Sequence, residues 1–196
     1  MLFAAAALAA AVLLAPPVDA KAPPCGVNPM SYHFMLGEYP AILFDSHTND
    51  APMDWNYIDD PIITERALRA KFLDPENPKI GMHVLYIDMG AEKILFDTGL
   101  SVVLEGELND QLAAAGVDRK AITKVFLTHA HMDHIGGLIL NRLGFLSFPD
   151  AKVYISKPEL DYWMADAVDT FNSTLPEEDL HMFSWSARTA LGIVRS

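Results

Sequence analysis

Apolar residues along this chain fall into short runs and stripes whose period changes, and each change marks an element. Runs at 32–36 and 41–45 flank Gly37, Glu38, Tyr39 and Pro40, which predicts a hairpin of two strands. The segment 46–60 is rich in Asp, Asn and Pro and reads as loop, carrying His47, Trp55 and Tyr57. A helix is predicted over 64–73 with Ala67, Leu68 and Phe72 turned inward. Apolar runs at 82–88 and 93–97 then predict strands buried by helices, joined by a turn at Met89, Gly90, Ala91 and Glu92. A helix over 102–115 ends at Gly116. Asp118 caps a short helix before a strand that begins at Lys124, and 152–155 is a further strand. Ser156, Lys157, Pro158 and Glu159 have the form of a capping box with proline in the first turn. Leu180, Phe183, Ala187, Leu191 and Val194 recur at spacings of three and four, an amphipathic helix over 176–194. Strands and helices alternate after Met82, so the pattern predicts an α/β protein without internal repeats.

Composition narrows the classes. A chain of 196 residues with 51% hydrophobic side chains can bury one sizeable core and is not a disordered polymer. The net charge of −12 argues against nucleic acid and anionic membrane surfaces as partners. Residues 1–15 are almost wholly apolar, too few to span a bilayer, which takes about 20. Pro16 and Pro17 end any helix there, and Val18, Asp19 and Ala20 offer the small or apolar positions a signal peptidase reads. Residues 1–20 are therefore expected to be a secretory signal, followed by a Pro-rich linker over 21–31 and one domain over 32–196, in a secreted or periplasmic protein. Cys25 is the single cysteine, so no intramolecular disulfide is possible, and it lies far from the chemistry below.

That chemistry is concentrated in Thr128-His129-Ala130-His131-Met132-Asp133-His134-Ile135-Gly136-Gly137. Three imidazoles and a carboxylate within six residues follow the short apolar run Lys124-Val125-Phe126-Leu127. A strand entering this loop would place His129 and His131, two apart, on one side, with Asp133 and His134 beyond the bend. Loop histidines also serve as caps or sit in solvent, but four ligand-type side chains in one window favour a metal site. Mixed nitrogen and oxygen donors suit zinc, with iron or manganese as alternatives. The spacing suits two neighbouring ions, each given part of its shell here.

This stretch resembles the HxHxDH signature of the metallo-β-lactamase superfamily, and Ile94-Leu95-Phe96-Asp97-Thr98-Gly99 is similar to that family's upstream Asp-Thr-Gly strand end. The stretch 146–163, LSFPDAKVYISKPELDYW, together with the strand order before Asp97, resembles the methyl parathion hydrolase branch, close to the metal-dependent lactonases. The resemblance runs from about Tyr32 to Trp163. It implies the N-terminal half of an αββα sandwich and two divalent metal ions, zinc first. His129 and His131 would hold one ion, and Asp133 and His134 the other. It also implies hydrolysis of an ester, lactone or phosphotriester by a hydroxide bridging the metals, with Asp133 orienting that hydroxide. Asp97 would lie beneath the metal loop and fix a ligand histidine, its alternative being a turn-forming aspartate. Trp163 would border the substrate, its alternative being a core residue of the helix with Leu160 and Met164. His33, His83 and His181 are read as structural or surface residues, and His47 as a solvated loop histidine, its alternative being a residue that faces the active site.

In that family further ligands come from a later Gly-His turn, a later aspartate that bridges both metals and a final histidine near the C-terminus; here no Gly-His turn follows Trp163, and the last histidine is His181. The chain is therefore expected to be an N-terminal part that is inactive alone, with a small-molecule substrate and a possible homo-oligomeric state. The alternatives are a β-lactamase- or glyoxalase-type hydrolase of the same superfamily, or a non-catalytic half-domain that binds metal or a partner. A half sandwich bares one sheet face, and Leu85, Ile87, Leu95, Val125 and Leu127 are expected on it, along with the apolar stripe of the last helix.

Overall fold

A computed structural model describes residues 31–50, 60–77, 79–101, 106–140, 145–165 and 177–195. Six strands form one sheet in sequence order: β1 (Ser31–Leu36), β2 (Tyr39–Asp50), β3 (Lys79–Asp88), β4 (Lys93–Phe96), β5 (Lys124–Phe126) and β6 (Lys152–Tyr154). The first four are antiparallel; short turns join β1 to β2 and β3 to β4, while a longer connection that carries a helix joins β2 to β3. The first turn is Gly37-Glu38, with Gly37 at φ 64°. At the β3–β4 turn Gly90 sits at φ 80°, and its N–H reaches Asp88 Oδ1 at 2.8 Å. Strands β4, β5 and β6 are parallel and need crossovers. These carry α2 (Leu108–Ala114) with the 3₁₀ turn Arg119–Ala121, then α3 (Met132–Ile135) with the 3₁₀ turn Gly136–Leu138. Two more helices, α4 (Lys157–Met164) and α5 (Glu177–Arg195), follow β6, and α1 (Pro61–Ala70) precedes β3.

The alternation of strand side chains divides the sheet into two faces. Ile42, Phe44, Val84, Tyr86, Leu95 and Val125 point toward the helices and join Leu112, Ile122, Ile135, Leu138, Ala187 and Leu191 in one core. The other face carries a row in register across the sheet: Leu43, Leu85, Phe96, Phe126 and Tyr154. Phe96, Phe126 and Tyr154 stack with centroids 5.4 and 4.7 Å apart, and Phe96 and Tyr154 remain 36% and 39% exposed. The predicted bare residues need correction. Leu95 and Val125 are 0% exposed, Ile87 and Leu127 are buried, and of the five named only Leu85 belongs to this half-covered row. Leu95 and Val125 sit one residue out of phase with the bare positions, and a shift of one residue in a strand exchanges faces.

Several element boundaries also move. Strand β2 runs to Asp50 across a stretch expected to be loop, so His47 is a strand residue paired with Met82. The polar run is held there by a long-range partner: β3 begins at Lys79, a bulge lies between Asp45 and His47, and Ser46 Oγ donates to Met82 O at 2.9 Å. Helix α1 starts at Pro61, earlier than expected, because Asp60 Oδ1 accepts from Ile62 N and Ile63 N. It stops before Phe72, which lies at φ 60° and is 99% exposed, and Ala67 is exposed too, so neither belongs to the core. Helix α2 begins only at Leu108. The last helix is the clearest difference in packing: Ala187, Ala190 and Leu191 are buried against the core, so its stripe has partners within this chain. The expected signal segment, the linker with Cys25, Trp55 and Tyr57 lie outside the described residues. Among the described residues no helix is long and apolar enough to cross a membrane.

Candidate metal centre

The site forms where the parallel strands β4 and β5 end, the edge of an open α/β sheet at which ligands commonly bind. After Phe96 the chain turns at Asp97, whose φ of 62° lies in the left-handed region that aspartate tolerates better than most side chains. Asp97 N still bonds Phe126 O at 2.9 Å, and Thr98 then binds His134 O through both its N–H (2.7 Å) and its hydroxyl (2.9 Å). Gly137 N donates to Gly99 O at 3.0 Å. A Cβ on Gly137 would run into the carbonyl of Thr98, and one on Gly136 into the backbone at Leu100 and Ser101. The Asp-Thr-Gly turn and the histidine loop are therefore packed backbone against backbone, which explains why two glycines follow His134 and Ile135.

The loop brings its ligand-type side chains together. The His129 ring lies 4.6 Å from that of His131 and 3.9 Å from that of His134. The single-turn helix α3 carries Asp133 and His134, with His134 N and Ile135 N both bonded to His131 O. Asp97 lies beneath, buried. Its Oδ1 accepts from Thr128 N at 2.8 Å, while Oδ2 is 2.8 Å from both Thr128 Oγ1 and His134 Nδ1. Thr128 Oγ1 also meets His129 Nδ1 at 2.9 Å, and His134 Nε2 lies 3.3 Å from Asp133 Oδ2.

These contacts set the charges. Burial pushes the His134 imidazole down, but hydrogen bonds to Asp133 and Asp97 and their negative charges outweigh it and take the pKa up to about 9. Burial acts to raise the Asp133 carboxyl, and the His134 imidazolium beside it holds it below its usual value instead. His129 is held below its ordinary value by burial first and then by the neighbouring histidines. Without metal, a proton between His134 Nε2 and Asp133 Oδ2 satisfies both atoms, and both present lone pairs once it leaves. The donor set, imidazole nitrogen and carboxylate oxygen, fits zinc. Among the described residues no three histidine, cysteine, aspartate or glutamate side chains gather as a single metal shell.

Trp163 is buried, and its ring centroid lies 5.8 Å from that of His131 with the planes at 80°. Sequence reasoning missed two neighbours. Phe183 of α5, a member of the apolar helix stripe, has its ring centroid 5.2 Å from that of His131. Glu159, expected to complete a capping box, instead directs Oε1 at Ala130 N (2.8 Å) and Trp163 Nε1 (2.7 Å). Ser156 does accept from Glu159 N, at 3.4 Å, so half of the box is made. The Glu159–Trp163 spacing of four along a helix was the available signal. His47 lies in β2, paired with Met82, and His83 and His181 are exposed.

The chain belongs to the metallo-beta-lactamase superfamily, whose family model matches residues 83–188, more than half of its length. Among solved structures it is similar to AidC, a dizinc quorum-quenching lactonase in complex with a product, N-hexnoyl-L-homoserine. Identity is 25% and the TM-score 0.76, over 84% of this chain and 58% of that one. It is also similar to the hydrolase AbOPH of the beta lactamase superfamily, at 21% identity and TM-score 0.73 over 84% of this chain and 57% of that one. A third is a probable metal-dependent hydrolase from Staphylococcus aureus, at 16% identity and TM-score 0.58 over 69% and 53%. The chain thus spans little more than half the length of the structures it matches, a partial metallo-beta-lactamase fold in a family of hydrolases. No curated protein matches the sequence.

Proposed function

We propose that this chain supplies the first half of a dinuclear metal site for a secreted or periplasmic hydrolase acting on a lactone, carboxyl ester or phosphotriester. The observation that carries this reading is the cluster of His129, His131 and His134 at the strand ends with Asp97 behind His134. His129 and His131 would hold one ion, Asp133 and His134 the other, and donors outside these 196 residues would complete both shells. When bound, the two ions supply a hydroxide near neutral pH and polarise the oxygen under attack.

The chain's own groups do the positioning. Asp97 accepts the Nδ1–H of His134 and so leaves Nε2 as the free donor atom, the usual arrangement behind a metal-binding histidine. Thr128 Oγ1 at Nδ1 of His129 leaves Nε2 of that ring in the same state. Asp133, kept ionised, can accept a hydrogen bond from the attacking water and orient it. Trp163 gives the His131 side of the site an apolar border. The lactonase among the similar structures supports the ester and lactone classes, and the resemblance at 146–163 supports the phosphotriester.

The experiment compares the 196-residue chain with the reading frame continued past Ser196, each in zinc buffer. Substrates are an acyl homoserine lactone, an aryl ester, an aryl phosphotriester and a β-lactam. The longer protein should hydrolyse one of the first three, lose that activity with a chelator or Asp133→Ala, and outpace the short chain by orders of magnitude. Hydrolysis of the β-lactam alone, or none of the four by zinc-loaded protein, overturns the reading. Mass spectrometry of the exported protein should find a new N-terminus close to Ala20.

A further inference from the structure

Helix α4 begins conventionally, with Ser156 as its cap and Pro158 in the first turn, and then departs from the pattern at Glu159. A carboxylate at this third helical position normally turns back to the cap's own amide. Here one oxygen, Oε1, reaches across a separation of 29 residues to Ala130 N at 2.8 Å and one helical turn along to Trp163 Nε1 at 2.7 Å. Ala130 is 0% exposed and lies between His129 and His131. Its amide, so buried, needs an acceptor, and an ionised carboxylate is a stronger one than a neutral carbonyl. The same oxygen fixes the Trp163 indole, which makes a T-shaped contact with the His131 ring, and Phe183 packs on the His131 ring as well. From α5, Arg188 Nε bonds Trp163 O at 3.0 Å, so the tryptophan is held at both ends.

We infer that Glu159 is a positioning residue for the His129–His131 pair: by accepting from the amide between them and from Trp163, it fixes the loop and the His131 ring for metal binding without touching the metal. The inference rests on the metal reading above for its purpose, but the clamp itself is a property of the metal-free fold. A Gln side chain keeps a carbonyl oxygen at the same reach and can accept both bonds. Asp keeps the charge but is one methylene short, and Ala removes the acceptor.

The test uses Glu159→Gln, Glu159→Asp and Glu159→Ala, with two readouts. In chelator-treated protein, amide hydrogen exchange at Ala130 is compared with that at Val125, and the Trp163 indole proton shift is recorded. In the second, zinc affinity is measured by competition with a chromophoric chelator. Losing the acceptor should speed Ala130 exchange about tenfold relative to Val125 and weaken zinc binding by a similar factor. Glu159→Ala and Glu159→Asp should both show this, and Glu159→Gln should recover most of each. If Glu159→Ala does not fold, the contrast between Asp and Gln carries the same information. Equal zinc affinity across the variants of a zinc-binding wild type overturns the inference, as does a Gln variant as impaired as the Asp variant. Failure of the wild type to bind zinc would count against the metal reading instead, while Ala130 exchange still judges the clamp.

Discussion

Replacing Asp97 by Asn isolates the electrostatics beneath the histidine loop. The backbone should not object, because Asn tolerates the left-handed φ of 62° found there. The carboxylate accepts three hydrogen bonds, each 2.8 Å long: Thr128 N on one oxygen, Thr128 Oγ1 and His134 Nδ1 on the other. Asn offers one carbonyl oxygen and an NH₂ group that only donates. If its oxygen serves Thr128 N, the NH₂ faces the Thr128 hydroxyl, which can rotate to accept, and the His134 N–H, which cannot. At least one charge-assisted bond is lost, worth about 1.5–3 kcal/mol, and a donor is left facing a donor, so about 2–4 kcal/mol is expected in all. That is a large share of the roughly 5–15 kcal/mol that holds a typical domain together. Asp97 is also one of the two carboxylates that raise His134, so the His134 pKa should fall from about 9 toward its ordinary value. Urea unfolding of chelator-treated protein and an NMR titration of the His134 ring measure the two effects. An Asn variant within about 0.5 kcal/mol of wild type, the spread of a neutral surface change, with an unchanged His134 titration, would refute the argument and leave Asp97 as a turn residue.

Three further outcomes follow from the same geometry. Gly137→Ala should destabilise by about 1–3 kcal/mol or more in thermal or urea melts, since the added methyl meets the Thr98 carbonyl; a neutral result would mean that the two loops are not packed as described. Leu191→Ala should cost about 2–5 kcal/mol because its side chain is buried in the core, whereas a bare helix stripe would make the change nearly silent. In metal-free protein the raised His134 pKa contributes stability that is complete below pH 6.5 and fades as pH rises through about 9, while the lowered Asp133 pKa contributes stability that fades as pH falls below 3.8. Melting temperatures measured with chelator from pH 6 to 10 should therefore decline at the alkaline end, and a flat profile would speak against the His134–Asp133–Asp97 arrangement.

Local signals were legible in the sequence where local physics decides. Asp118 and Ser156 accept from backbone amides at the helix starts where their residue types placed them, and Gly116 adopts the positive φ of a helix end. The crowding of His129, His131 and His134 was readable too, since six residues leading off a strand cannot spread far. What escaped was set by partners distant in sequence. Ser46 to Asp50 look like loop until the first residues of β3 supply a ladder. Phe72 looks like core, but helix α1 ends before reaching it. Leu95 and Leu85 are equally apolar, and only the pairing of their strands with the covering helices decides which face each occupies. Glu159 fits a capping box by spacing alone, yet a buried amide 29 residues away competes for the same carboxylate and takes it.

The central claim, that His129, His131, Asp133 and His134 are metal ligands, is tested most directly by titrating the chelator-treated 196-residue chain with cobalt(II) and reading its visible absorption. With two donors per ion in the chain, binding should be weaker than at a site with three or more protein ligands, and the bands should be those of nitrogen and oxygen ligation. Each of His129→Ala, His131→Ala, Asp133→Ala and His134→Ala should reduce the bound cobalt, whereas changing the exposed His83 or His181 should not. Cobalt spectra indifferent to all four loop substitutions, or no binding at any accessible concentration, would contradict the account.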